Sequence, residues 1–329
     1  MKISSLFYEK NFMENKNILK GVAFVGIGAS LYGMLATFVK VAYDEGYTTA
    51  EVTASQFVLG ILTLLIINLV MGRNKIQPKV NAKDKKRLML AGTSLGFTSL
   101  FYYLAVQYIN VSIAIVLLMQ TVWISILVES IIGRKFPTIQ KLLAMILVLV
   151  GTVLATNLIN QEVELNPKGL FWGFLAACSF TTTMFTSNSM ANYLPPYKKS
   201  LYMLYGGGIV IALFVFFSQI GPYYFDGLLS FYKNFSDDVA GIRPLNWHIF
   251  YTWGIILSLF GTVLPPILLN KGFPHTGLGL GSIVSSLELP VSVTMAWIVL
   301  SEKVLFIQWS GIAVIIFAII ISNLNFKSK

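Results

Sequence analysis

Ten windows of apolar residues, at about 19–42, 51–71, 88–107, 111–132, 141–159, 169–190, 200–219, 248–272, 276–300 and 304–325, alternate with short polar stretches along the chain. Each is long enough for a helix, tilted where needed, to cross a hydrocarbon core of about 30 Å. Backbone in lipid has no water to bond to, so a spanning segment of this length must satisfy its own N–H and C=O groups as a helix. The pattern therefore predicts an all-α polytopic membrane protein of ten transmembrane helices.

Composition strengthens this reading. Hydrophobic residues make up 56% of the chain and charged ones 12%, with a mean hydropathy of +0.73, far from the balance of a soluble domain. The formal net charge of +10 is not a nucleic-acid signal, because the basic residues lie between apolar windows rather than along one face. With the N-terminus in the cytoplasm, 19 of the 24 basic residues fall inside, among them the run from Arg73 to Arg87, Arg134, Lys135, Lys141, Lys198, Lys199 and Lys271. The outer loops then hold Asp44, Glu45, Glu51, Glu162, Glu164, Asp226, Asp237, Asp238 and Glu302. The positive-inside rule gives cytoplasmic N- and C-termini and an even number of spans. Residues 1–18 read as a polar cytoplasmic tail, disordered or upstream of a second start at Met13, and 326–329 as a second tail.

A faint internal repeat orders the spans. Lys20-Gly21 matches Lys168-Gly169 at an offset of 148, while Lys135, Ile139 and Gln140 match Lys303, Ile307 and Gln308 at an offset of 168. The repeats are 19–159 and 169–325, joined by an external linker at 160–168, and the difference in offset places an external insertion at 220–247. Its Tyr223, Tyr224, Phe225, Leu228, Leu229 and Tyr232 fit a segment lying in the membrane interface. Five spans per repeat force the second copy to lie inverted relative to the first, a design of many secondary transporters.

Leu287-Glu288-Leu289-Pro290, then Ser301-Glu302-Lys303, Gln308 and Gly311, resemble the end of a repeat in EamA-type members of the drug/metabolite transporter superfamily. Gln120-Thr121-Val122 and Gly133 to Thr138 form a weaker first copy, departing from the family pattern at Val122, Arg134 and, in span two, Gln56. The resemblance implies two five-helix bundles around a central cavity, with alternating access by rocking of the halves. It also implies a bacterial plasma-membrane location and export of a small metabolite such as an amino acid or related compound.

Polar side chains within the spans supply the candidate pathway: Lys40, Gln56, Gln120, Trp123, Asn188, Ser285 and Glu288. A carboxyl midway along an apolar span costs roughly 2.5 kcal/mol or more if it faces lipid, so Glu288 must face water or protein. It is either a pathway and proton-coupling group or a carboxyl bonded between helices. Gln120 occupies the matching position of the first repeat, with Trp123 one turn on as an aromatic wall. Lys40 either faces the cavity or reaches the outer interface along its own stem, and Asn188 is its counterpart by the repeat. Small residues such as Gly26, Gly33 and Gly60 serve close helix packing. Pro265, Pro266 and Pro290 are candidate hinges.

No nucleotide-binding loop, dinucleotide fingerprint, zinc signature or nucleophile elbow stands in a credible context, and the single cysteine, Cys178, excludes an internal disulfide. No catalytic residue, cofactor or metal is expected, and the partners are a small-molecule solute and membrane lipids, with no nucleic acid. The sequence leaves the oligomeric state open. A drug or cation exporter of the same fold is an alternative, because a lone cavity carboxylate also suits a cation. From another class, an integral membrane enzyme or receptor-like component is the remaining alternative.

Overall fold

The computed structural model describes residues 2–73, 80–109, 111–158, 166–233 and 242–323. The linker from 160 to 165, most of the insertion beyond Lys233 and the C-terminal tail lie outside the described residues, as do Lys75 and Lys79. Every apolar window falls on a helix or on two helices joined by a break, and no strand occurs among the described residues. Eight of these segments are both long and apolar enough to cross a membrane. The other two windows lie on α6 (Ile139–Ala155), which has 17 residues, and α7 (Pro167–Ser189), which carries a run of threonines and serines.

The first helix, α1 (Lys2–Asp44), begins far earlier than expected, so the polar stretch assigned to a tail continues the helix. Helix starts follow their capping residues. The Thr48 hydroxyl accepts from the Glu51 backbone while Glu51 accepts from the Thr48 backbone, a reciprocal box that opens α2 (Thr49–Gly72). Asn81 caps α3 (Ala82–Tyr108), Thr138 caps α6, and Asn166 with Pro167 starts α7.

The fourth window is two helices, α4 (Val111–Leu118) and α5 (Thr121–Gly133). The seventh is α8 (Pro196–Val215), a π turn, then α9 (Gly221–Tyr224). Pro222 follows that π turn, whose wide backbone accommodates its ring and absent donor, so the span runs on to Tyr224 and the insertion starts later than 220. α10 (Asp226–Lys233) then lies back against this end, with Leu228 over Gly221.

The eighth window is α11 (Trp253–Ser258), a π turn at Leu259–Val263, and α12 (Leu264–Thr276). Pro265 and Pro266 follow that π turn directly and are buried; the wide turn accommodates the two absent donors and the ring clash with preceding carbonyls. The ninth is α13 (Leu278–Ser285) and α14 (Glu288–Val299), with Pro290 buried in the first turn of α14, and α15 (Phe306–Asn323) completes the order.

Small residues set the packing. A methyl at Gly206 would overlap the Met89 carbonyl, and one at Gly92 would overlap Met203, so α3 and α8 touch backbone to backbone. The helix pairs repeat with the halves exchanged. α1 packs on α12, α13 and α14 of the second repeat, and α7 packs in the matching way on α3, α4 and α5 of the first. α2 packs on α11 as α8 packs on α3, while α6 with α15 and α2 with α8 pair across the pseudo-twofold axis. The packed bodies are therefore α1, α2 and α11–α15 on one side and α3–α8 on the other, rather than the two sequence halves expected to rock.

Two charges expected in aqueous loops are buried. Lys199 is 1% exposed; its ammonium donates to the Ser187 carbonyl at 2.8 Å and to Asn192 Oδ1 at 3.0 Å, capping the end of α7. Glu51 is 0% exposed and accepts from Arg243 at 2.7 Å, from the Thr48 and Asn246 backbones at 2.8 Å each, and from Gln219 at 3.1 Å. That carboxylate clasps the α1–α2 turn to the end of the α8 span and to the chain returning from the insertion.

Removing the buried carboxylate leaves Gln219, Arg243 and the Thr48 and Asn246 backbone donors without their acceptor, so Glu51→Ala should markedly lower the thermal unfolding midpoint in detergent. Gly206→Val should abolish the native α3–α8 approach, measured as loss of monodisperse protein on size exclusion.

Candidate functional site

The two helix breaks meet the sequence-predicted polar residues. At the first, the Gln120 N–H donates to the Leu117 carbonyl at 3.0 Å and Val122 to Met119 at 3.1 Å; at the second, Leu287 donates to Val284 and Leu289 to Ser286, both at 3.2 Å. Each is one tight turn between two α-helical stretches. The two turns match at an offset of 167 rather than 168, which sets Thr121 in register with Glu288 and Gln120 with Leu287. The positive-φ residues ending these spans, Arg134 and Ser301, have the same spacing. The sequence match of Lys135 with Lys303 lies beyond those ends, where one residue of loop length goes unnoticed.

Glu288 stands at the first residue of α14. Its Oε2 is buried and has no hydrogen-bond partner among the described residues. An unpaired carboxyl oxygen in low dielectric is costly and persists where another group completes it. The hydroxyls of Tyr32 on α1 and Tyr102 on α3 lie within electrostatic reach of this carboxyl. Tyr32 stacks edge-on to Phe180 at 6.2 Å between centroids, and Tyr102 neighbours Tyr103, which meets Tyr43 edge-on at 6.3 Å. Gly33 makes this arrangement possible: any side chain there would overlap the Glu288 carbonyl.

Gln120 and Trp123 are joined directly. The indole N–H donates to Gln120 Oε1 at 2.8 Å, and the Gln120 amide donates to the Val116 carbonyl at 2.9 Å. Ser285 is buried just before the second break, its hydroxyl turned back to the Gly281 carbonyl at 2.9 Å. Gln56 is buried between α2 and the π turn of the eighth window, lying against Gly261 while Thr262 donates to its carbonyl at 2.9 Å. Lys40 is exposed and paired with Glu302. Asn188 lies in the last turn of α7, donating to Ser189 at 3.0 Å and accepting at its carbonyl from Asn192 at 2.7 Å. Glu288, Ser285, Gln120 and Trp123 thus cluster at the two breaks, while Gln56, Lys40 and Asn188 each have partners elsewhere.

Sequence reasoning passed over Tyr32, Tyr102 and Glu51. A tyrosine inside an apolar window was the available signal for the first two, and the Thr48–Glu51 capping pattern for the third.

Burial is uneven around the breaks. All eight residues of α13 are buried, whereas only Leu289 and Pro290 of α14 are. Residues 291–296 are each partly exposed, on every face of the helix. The ninth span is thus closely packed up to its break and loosely packed beyond Pro290, and Glu288 stands where the packing changes.

No curated protein matches the chain. A solved crystal structure of a protein 12% identical in sequence superposes with a TM-score of 0.68, over 93% of this chain and 97% of its own, and shows the same fold. The model of the EamA-like transporter family matches residues 19–157 and again 167–324, one match for each of the two repeats read from the sequence. Two matches spanning nearly all of the helical bundle place the chain in the EamA-like transporter family.

Proposed function

We propose that this protein is a secondary transporter of the plasma membrane that exports a small metabolite, such as an amino acid or related compound, by alternating access. In this reading α6 and α7 cross the membrane with the eight longer spans, giving ten crossings in two inverted repeats with both termini cytoplasmic. The observation that carries it is the buried, unpartnered Glu288 carboxyl oxygen at the point where the ninth span is interrupted. Broken helices around a central polar site are a recurring construction for solute binding in membranes.

Glu288 carries the coupling proton and contacts the solute. Gln120, held by Trp123, and Ser285 line the same level; Gln56, Lys40 and Asn188 border the route further along. Pro265, Pro266 and Pro290 lie where the eighth and ninth spans depart from straight helix and absorb the change between states. No cofactor takes part.

A cationic solute is the second reading, favoured by the surroundings of the same atom. Lys40 is engaged with Glu302 and Lys199 with the end of α7, whereas Glu288 keeps a carboxyl oxygen without a partner among the described residues.

Purified protein in liposomes should move solute faster when a proton gradient opposes the solute flux, and Glu288→Gln should remove that dependence and reduce flux by about tenfold or more. Unchanged flux and pH dependence in Glu288→Gln would contradict the coupling role. Competition by simple organic amines but not by zwitterionic amino acids would favour the cationic reading.

A further inference from the structure

We propose that Glu129, held by Lys141, is the inner gate of the pathway and sets the protein's preference for its outward-open state. The proposal rests on the alternating-access reading above and adds a residue which that reading does not use.

Glu129 lies on α5, in the last turns of the fourth span, and its carboxylate receives the Lys141 ammonium of α6 at 2.5 Å. Both residues belong to the body formed by α3–α8. The same carboxylate crosses to the other body: it lies against Gly277 and Gly279, where the chain turns from α12 into α13. A methyl at Gly279 would overlap Glu129 Oε2, and one at Gly277 would stand 3.0 Å from Oε1. Gly277 has φ 75°, a conformation that L side chains avoid. The first turn of α13 therefore offers bare backbone and the positive end of its peptide dipoles to the carboxylate. Only glycine lets the charge come this close.

The contact lies where the two bodies are packed shut. α5 packs along α13, and the Ile126 side chain adds an apolar seal beside Gly279. At the other end the counterpart pair, α4 with α14, is not among the extensively packed helix pairs of the described residues. The 167-residue offset places Ala296 where Glu129 would be and Gln308 where Lys141 would be. Gln308 is occupied at its own helix start and at the Ala155 carbonyl, and the neighbouring Trp297 turns onto Trp309 of the same body. A carboxylate resting on the first turn of the facing interrupted span thus exists at the α5–α13 approach only, and the sequence at the counterpart α4–α14 approach cannot form it. With closely balanced states, one partly exposed charge contact present in only one of them is enough to choose the resting state.

Site-directed labelling tests this in a Cys178→Ser background, with Ser282→Cys on α13 as the inner reporter and Ser292→Cys on α14 as the outer one. Membrane-impermeant thiol reagent is applied to one face at a time. Glu129→Gln, and independently Gly279→Ala, should raise inner labelling at Ser282→Cys by about fivefold or more and lower outer labelling at Ser292→Cys in step. The Gly279 variant keeps all charges and displaces the carboxylate sterically, so agreement between the two ties the effect to the contact. Unchanged labelling in both variants overturns the gate, as does inner labelling that rises without the outer loss, which is the mark of local loosening alone. If the unmodified protein moves no solute, the proposed function fails whatever the labels report; if it moves solute while both variants label as it does, the gate fails alone.

Discussion

A helix interrupted in the middle of a bilayer exposes backbone groups that hydrocarbon cannot solvate, and this constraint governs the arrangement of the molecule. The tight turns around Met119–Gln120 and Ser286–Leu287 can exist only inside protein or beside water. Both adjoin the main apolar core, which takes in Leu118 and Met119 at one turn and Leu287 and Leu289 at the other. Ser285 and Glu288 stand at one break, and Gln120 and Trp123 at the other. A continuous helix would have no reason to keep a carboxyl at its middle.

Enclosing two breaks requires close helices, and close helices require small residues. Gly33 brings α1 against the start of α14, while Gly92, Gly96, Gly206 and Gly207 bring α3 against α8. These contacts exchange helices between the repeats, so each packed body draws on both halves of the sequence. The main crossings between bodies are then α6 with α15, α2 with α8, α5 with α13, and α12 with α7 and α8. Any change of access must occur across these. The Glu51 clasp fixes one margin of the molecule with a carboxylate whose partners come from three segments, whereas the Glu129 contact is a single charge resting on glycine backbone. Their difference in bonding separates a permanent joint from a releasable one.

The apolar windows made the helices legible because each window needed only composition and length. The repeat was legible too, apart from one residue of register, which Lys135 and Lys303 concealed because they fall beyond the ends of their spans. The breaks were not. Met119 and Gln120 are ordinary helix formers, and what interrupts the helix there is packing around it rather than a local signal; only Pro290, in the second copy, hinted at irregular backbone. Lys199 and Glu51 were read as aqueous charges since each lies within four residues of a helix start. Burial depended on partners far along the chain, Ser187 and Asn192 for the first, Gln219, Arg243 and Asn246 for the second. Tyr32 and Tyr102 escaped notice for the opposite reason, because a tyrosine in an apolar window looks like any other ring until a carboxyl is placed beside it.

The central claim is that a pathway past Glu288 carries a solute through the protein. Its most direct test is to expose liposomes holding the purified protein to a bacterial metabolite extract, impose a proton gradient, and analyse the washed lumen by mass spectrometry. The account predicts at least one small solute enriched over protein-free liposomes, with the enrichment abolished when the gradient is collapsed. Identical contents in both sets of liposomes, under either direction of gradient, would contradict it.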